Sequence, residues 1–224
     1  YTGSLEPNVE APPLPMFPEL RDSSYVRIPF QTTWRAHLTR VVESVLDISH
    51  LPFVHPETTG QDVNPVVEGI DYEVTDEGMT IYPAPFAPSH PMEPSPFSNP
   101  TDEQVEIECR FPNHWIIRTP MGEDKWMCTY LTFSPRHEDE TAIFGTALRN
   151  FDEDSSFLDL FHIEHTRFVM EQDRVIVESL RPYAAPFQFS AEVHTPSDAP
   201  SIRYRKWMRD ATQHGGAEAI RRPE

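Results

Sequence analysis

The sequence predicts an α+β protein, an antiparallel sheet wrapped on a long C-terminal helix. Three observations carry that expectation. The 224-residue chain holds 24 prolines against 8 glycines, a load that suits a sheet joined by extended, rigid loops better than a mainly helical protein. Between residues 104 and 150, short β-branched or aromatic segments alternate with Pro, Gly and acidic turns, the pattern of a meander. From Ser155 or Ser156, either of which can cap a helix, a long helical segment runs to about Leu180 and stops at Arg181-Pro182.

The remaining elements follow in chain order. Residues 1 to 24 are rich in Pro, Glu and Ser without a sustained period, and read as a linker leaving a preceding domain. Tyr25 to Trp34 alternates as a strand, with Val26, Ile28 and Phe30 on one face and Arg27, Pro29 and Gln31 on the other. From His37 the period becomes helical, and Leu38, Val41, Val42, Val45 and Leu46 form one apolar stripe. That helix is expected to end at Leu51, because Pro52 lacks an amide proton and pushes its predecessor out of the α region. Strands are expected at Val66–Thr75 and Met79–Tyr82. The proline-dense segment 83–103 is too irregular for either element, and reads as a lid or binding loop or as surface padding. Four strands of the meander follow, at 104–111, 115–119, 125–134 and 142–150. A last amphipathic helix fits Pro200 to Gln213. The body of the domain is thus 25–213, with a tail at 214–224.

Bulk properties exclude several classes of function. A formal charge of −18 argues against nucleic acid, whose phosphates need a basic surface. No apolar run approaches the roughly 20 residues that span a bilayer. Cys109 and Cys128 stand outside any Cys-x-x-Cys or Cys-x-His pair, so they read as small buried core residues in a reducing, cytoplasmic compartment.

The chemistry concentrates in Glu43-Ser-Val-Leu-Asp47-Ile-Ser-His50-Leu-Pro-Phe-Val-His55. On a continuing helix Asp47 and His50 would share a face, three residues apart, and His55 would swing back after a turn. Two neutral imidazoles held this way are candidate metal ligands. The long helix offers a third group: Asp173 shares its face with Val169, Ile176 and Val177, where an unpaired carboxylate is costly unless something positive compensates it. A cation bound by His50 and His55 would do so; a backbone cap or an arginine would do so equally. Two His and one carboxylate form the facial triad of non-haem Fe(II) oxygenases, which leaves open positions for O2 and substrate. His162 and His165 lie on the same long helix and read as a polar face.

The Glu43–His55 segment resembles the mononuclear-iron motif Asn/Glu-x-x-Asp-x-x-His-x-x-x-x-His of the Rieske non-haem iron oxygenase α subunits. Gln172-Asp173-Arg-Val-Ile-Val-Glu178 is similar to the Glu-Asp-x-x-x-x-Glu segment of the branch that holds vanillate and dicamba O-demethylases and, more distantly, pheophorbide a oxygenases. The resemblance implies a helix-grip (START/Bet v1-like) fold and a mononuclear Fe(II) bound by His50, His55 and Asp173. It implies that Asp47 bridges toward the Rieske [2Fe–2S] cluster of a neighbouring subunit, in a homotrimer. The implied reaction is O2-dependent monooxygenation, either hydroxylation or oxidative O-demethylation, of a small apolar cyclic or aromatic substrate. Electrons would come from NAD(P)H through a ferredoxin or flavin reductase. Phe53, between the two histidines, becomes a candidate pocket wall. Ser44 departs from the Asn of many relatives, and Gln172 replaces an acidic neighbour of the ligand, a change expected to alter local charge only. The cluster itself needs two Cys and two His in motifs this chain lacks, so residues 1–24 are expected to leave a missing N-terminal Rieske domain. The alternative is a metal-free helix-grip module that binds a lipid or other apolar ligand.

Overall fold

A computed structural model describes residues 16–60, 63, 69–83, 104–186 and 188–214. Among the described residues, seven antiparallel strands form one sheet in the order β1-β7-β6-β5-β4-β3-β2. They are β1 (Val26–Trp34), β2 (Asp71–Val74), β3 (Gly78–Tyr82), β4 (Glu106–Arg110), β5 (His114–Gly122), β6 (Lys125–His137) and β7 (Glu140–Arg149). The meander read from the sequence is the run β4 to β7, β3 and β2 fall at the strands expected at Met79–Tyr82 and within Val66–Thr75, and β1 pairs with β7, Val26 with Arg149 through to Trp34 with Thr141. The β5–β6 turn places Glu123 and Asp124 at φ 53° and 60°, the two left-handed positions of a tight hairpin whose twist matches its strands.

Side chains alternate between two cores, because successive strand residues face opposite ways. On the inner face Phe30, Trp34, Trp115, Phe133, Ile143 and Ala147 join the main cluster. Helix α1 (Leu38–Leu46) seals it with Val41, Val42 and Leu46, and α4 (Ala199–His214) with Tyr204 and Trp207. The apolar stripe of α1 is the one the sequence displays. Trp115 sits 4.9 Å from Phe133 between ring centroids, and Phe111 meets Trp207 edge-on at 5.6 Å. On the outer face, Ile116, Cys128 and Leu148 pack around Phe17, which is fully buried. The end of the expected linker is therefore part of the domain: Phe17 lies beneath the Arg110 guanidinium, 4.6 Å from its ring centroid, and Glu19 pairs with Arg118 at 2.5 Å. Both cysteines are buried and free. The beginning of the strand expected at 66, the 84–103 part of the loop and the tail from 215 lie outside the described residues.

Helix α3 (Ser156–Val177) starts where the sequence places it, with the Ser155 hydroxyl accepting from Leu158 N at 3.3 Å and Asp159 in the first turn. Its inner face carries Ile163, Thr166 and Val177, and also His162, which is buried rather than on a polar face. Burial, followed by the nearby charges of His165 and Arg149, holds His162 well below its ordinary value, down to about 4, with Asp159 opposing the shift. The folded chain therefore resists protonation that the unfolded chain accepts, and stability falls as pH drops from about 6.5 toward 4. Urea unfolding is expected to show about 2 kcal/mol lost between pH 7 and pH 5 from this group, with a flatter dependence in His162→Leu. An equally steep dependence in the variant would assign the loss elsewhere.

Candidate metal centre

The first helix ends earlier than the sequence indicates. Asp47 is its C-cap, its amide bonded to Glu43 O at 2.9 Å, and the next turn, α2 (Leu51–Val54), is separate. The reason is local: the Asp47 side chain accepts from Ser49 N at 2.8 Å and from the Ser49 hydroxyl, a turn that competes with continued helix. Pro52 does not terminate a helix here. It lies in the first turn of α2, where its missing amide proton costs nothing. Asp47 and His50 are therefore not neighbours on one helix.

His50 and His55 are instead the two caps of α2. The His50 carbonyl accepts from Val54 N at 2.8 Å, and His55 N donates to Leu51 O at 3.0 Å. One turn spans the four intervening residues and brings the ring centroids to 5.3 Å. Gly60 closes the loop behind them, its amide bonded to His55 O at 3.0 Å. A Cβ at Gly60 would fall 1.8 Å from Leu51 O and 2.9 Å from His55 O. Gly60→Ala is expected to displace α2, lower the melting temperature and weaken metal binding together, as scored by thermal unfolding and metal titration. Unchanged values would show that the loop tolerates the side chain.

Asp173 arrives from α3, whose C-terminus is tied to the β1–α1 turn. There Glu178 accepts Arg35 N at 2.9 Å and pairs with Arg174 at 2.9 Å. His50 Nε2 lies 3.3 Å and His55 Nε2 2.9 Å from the same Asp173 Oδ1. One donor atom from each of the three residues falls within 4.8 Å of the others, the one such His/Cys/Asp/Glu group of three or more among the described residues. The His55 side chain is 1% exposed, that of Asp173 18% and that of His50 19%. Burial works against the charged Asp173, but hydrogen bonding from His50 and His55 outweighs it and holds the carboxyl below its usual range. For His50 burial is likewise opposed, and Asp173 and Asp47 raise it above the usual imidazole value. This donor set fits a borderline divalent metal: one buried and one part-buried imidazole and one carboxylate, beside an open cleft.

Asp47 stands behind His50, with Oδ2 3.8 Å from Nδ1, and its side chain is 37% exposed. It lines a cleft of about 480 Å3 together with His50, Asp173, Glu43, Glu192 and Arg205. Phe53 is 70% exposed on α2 and is not among the residues that line this cleft. His165 is stacked on Phe161, with ring centroids 5.9 Å apart.

Two parts of the site escaped sequence reading. Glu43, Arg40, Glu192 and Arg205 form a closed ring of alternating charge: Arg40 bonds Glu43 at 3.0 Å and Glu192 at 2.7 Å, and Arg205 bonds Glu192 at 2.8 Å and also Glu43. Only the i,i+3 spacing of Arg40 and Glu43 was available as a signal. The second is Gln172, whose Oε1 lies 2.9 Å from His55 Nδ1. It does more than change local charge.

Residues 34–213 match the vanillate O-demethylase oxygenase C-terminal domain family. The chain belongs to that family. Among curated relatives, it is 26% identical over 226 residues to methylxanthine N1-demethylase NdmA of Pseudomonas putida, covering 97% of this chain and 60% of that protein. It is 25% identical over 172 residues to the probable methylxanthine N7-demethylase NdmC of Pseudomonas sp. (strain TJI-51), covering 76% of this chain and 60% of the relative. The chain thus spans about 60% of the length of these relatives. Two solved structures share the fold: P. putida CBB5 NdmA with caffeine (TM-score 0.74, 23% identity, 93% of this chain and 59% of that one) and dicamba monooxygenase bound to dicamba (TM-score 0.69, 16% identity, 90% and 62%). The predicted α+β fold class is confirmed by these likenesses. Among the described residues, no helix is long and apolar enough to cross a membrane.

Proposed function

We propose that the domain is the mononuclear-iron half of a Rieske-type oxygenase that oxidatively removes a methyl group from nitrogen or oxygen on a flat, apolar ring. The convergence of His50, His55 and Asp173 in a chain of this family carries the reading. The names of the relatives support demethylation over simple hydroxylation, since they include an O-demethylase and N1- and N7-demethylases. In such a reaction one oxygen atom of O2 enters a methyl C–H bond, and the carbinol releases formaldehyde and leaves an N–H or O–H. The other oxygen atom leaves as water, which takes two electrons and two protons.

Fe(II) held by His50, His55 and Asp173 would supply O2 activation. The chain's own residues do the rest. Asp173 contributes the negative charge that two neutral imidazoles lack. His55, almost wholly buried, closes the protein side of the site against water. Asp47, bonded by Ser49, 3.8 Å from His50 and lining the cleft, would be the residue that links His50 to a Rieske [2Fe–2S] cluster of a neighbouring copy. In this reading the segment ahead of Phe17 leads from an N-terminal Rieske domain, the full-length protein is a trimer, and a reductase fed by NAD(P)H supplies the cluster.

Anaerobic loading with Fe(II), followed by metal analysis, tests the site: about one iron per chain is expected. A metal-free chain that still binds lipid or another apolar ligand would replace the oxygenase with a binding module. With the full-length protein and a reductase, formaldehyde release from N-methyl or O-methyl heteroaromatics separates demethylation from ring hydroxylation.

A further inference from the structure

The hydrogen-bond roles around His55 are over-determined. Its Nδ1 lies 2.9 Å from Gln172 Oε1, and its Nε2 lies 2.9 Å from Asp173 Oδ1. A neutral imidazole carries one N–H and one lone pair, so only one of the two nitrogens can donate. With the amide oxygen of Gln172 facing Nδ1, the proton belongs there, and the Nε2 lone pair then points at a carboxylate oxygen. Two acceptors at that distance repel unless a cation or a proton sits between them. With the amide turned over, its NH2 donates to Nδ1, Nε2 carries the proton, and His55 is blocked as a ligand through that atom. The state of one glutamine amide therefore separates a ligand from a non-ligand.

We propose that Gln172 is a positioning residue: its side-chain oxygen holds His55 as the Nδ1–H tautomer, so that Nε2 is presented to the metal. This rests on the reading of His50, His55 and Asp173 as a metal site. Neighbouring positions on α3 divide the work, Gln172 taking the far nitrogen of the ring and Asp173 facing the near one. His55 has almost no exposed side-chain surface, so solvent is a poor substitute for that acceptor. Ligand histidines elsewhere depend on the same kind of partner for orientation. The side chain is neutral, so it sets the tautomer without adding a second negative charge beside Asp173.

Long-range 1H–15N correlation spectra of the protein loaded with diamagnetic Zn(II) test this, assigned by comparison with His55→Asn. The wild type is expected to show a protonated Nδ1 and a metal-bound Nε2. Gln172→Leu is expected to lose that preference and to bind Fe(II) about 10–100-fold more weakly in competition with a chelator. Gln172→Glu, which keeps an acceptor oxygen, is expected to restore both. A wild-type ring protonated at Nε2 overturns the proposal, as does Gln172→Leu with unchanged tautomer and affinity. If the wild type binds no iron, the metal reading fails, while the spectra still decide what Gln172 does to His55.

Discussion

Asp173→Ala is expected to take the iron content from about one ion per chain to below about a tenth, with the fold retained. Asp173 is the only anionic member of the trio, and both imidazoles address the same one of its oxygens. Without it, a divalent cation meets two neutral ligands and no charge compensation, too little to hold Fe(II) against water. Asp173→Asn sharpens the experiment, because it keeps the shape and the hydrogen-bonding oxygen but removes the charge; it too is expected to lose most of the iron. The fold is expected to survive because the anchors of α3 lie elsewhere, at the Ser155 cap, at Ile163 and Val177, and at the Glu178–Arg35 contact. Full iron occupancy in both variants, measured by metal analysis after gel filtration, would remove Asp173 from the site. Iron lost together with circular dichroism would show a structural role instead.

Glu43→Ala is expected to destabilise the domain by about 3–5 kcal/mol in urea unfolding. Glu43 is bonded by both Arg40 and Arg205, whose side chains are only 9% and 8% exposed. Removing it leaves one carboxylate, Glu192, to balance two buried guanidinium groups. The penalty is that of an uncompensated buried charge, well above the value of an exposed pair such as Lys125–Glu123, which is worth at most about 1 kcal/mol. The carbonyls of Pro182 and Pro186, which accept from Arg40 and Arg205, limit the loss without replacing the charge. The ring joins α1, the segment around Glu192 and α4, so its loss also loosens the helix that ends at Asp47. Replacing all four members with apolar residues of similar volume is expected to recover much of the stability, since the ring itself is desolvated at a cost. A loss below about 1 kcal/mol for Glu43→Ala would mean that water replaces the carboxylate.

Part of the fold is legible in the sequence alone. The stripe Leu38–Leu46, the alternation of Val26, Ile28 and Phe30, and the Ser155 cap all depend on periodicity and local hydrogen bonding, and all appear where expected. The helix boundary at Asp47 was missed because two signals competed, an apolar period that continued and an Asp-x-Ser turn that ended it. Pro52 was read as a stop signal when it opens a new turn, since proline's missing donor is equally harmless at a helix start. The burial of His162 is not legible in the sequence, because the period of α3 does not say which side meets the sheet, and α3 is apolar on both: Phe157, Leu160 and Phe168 are exposed opposite Ile163 and Val177.

By itself the sequence determined the α+β class and the order of the main elements, because periodicity is a local property. Spacing marked His50 and His55 but left Asp173 open to a backbone cap or an arginine, and only the family resemblance joined the three. The tertiary structure alone decided that Asp173, more than a hundred residues downstream, shares one oxygen between two rings. It alone turned Gln172 to the far side of His55, closed Glu43 into a ring with Glu192 and Arg205, and placed Phe53 in the open. Those outcomes depend on how α3 and α4 pack across the sheet, a global balance of burial and charge that no short segment carries.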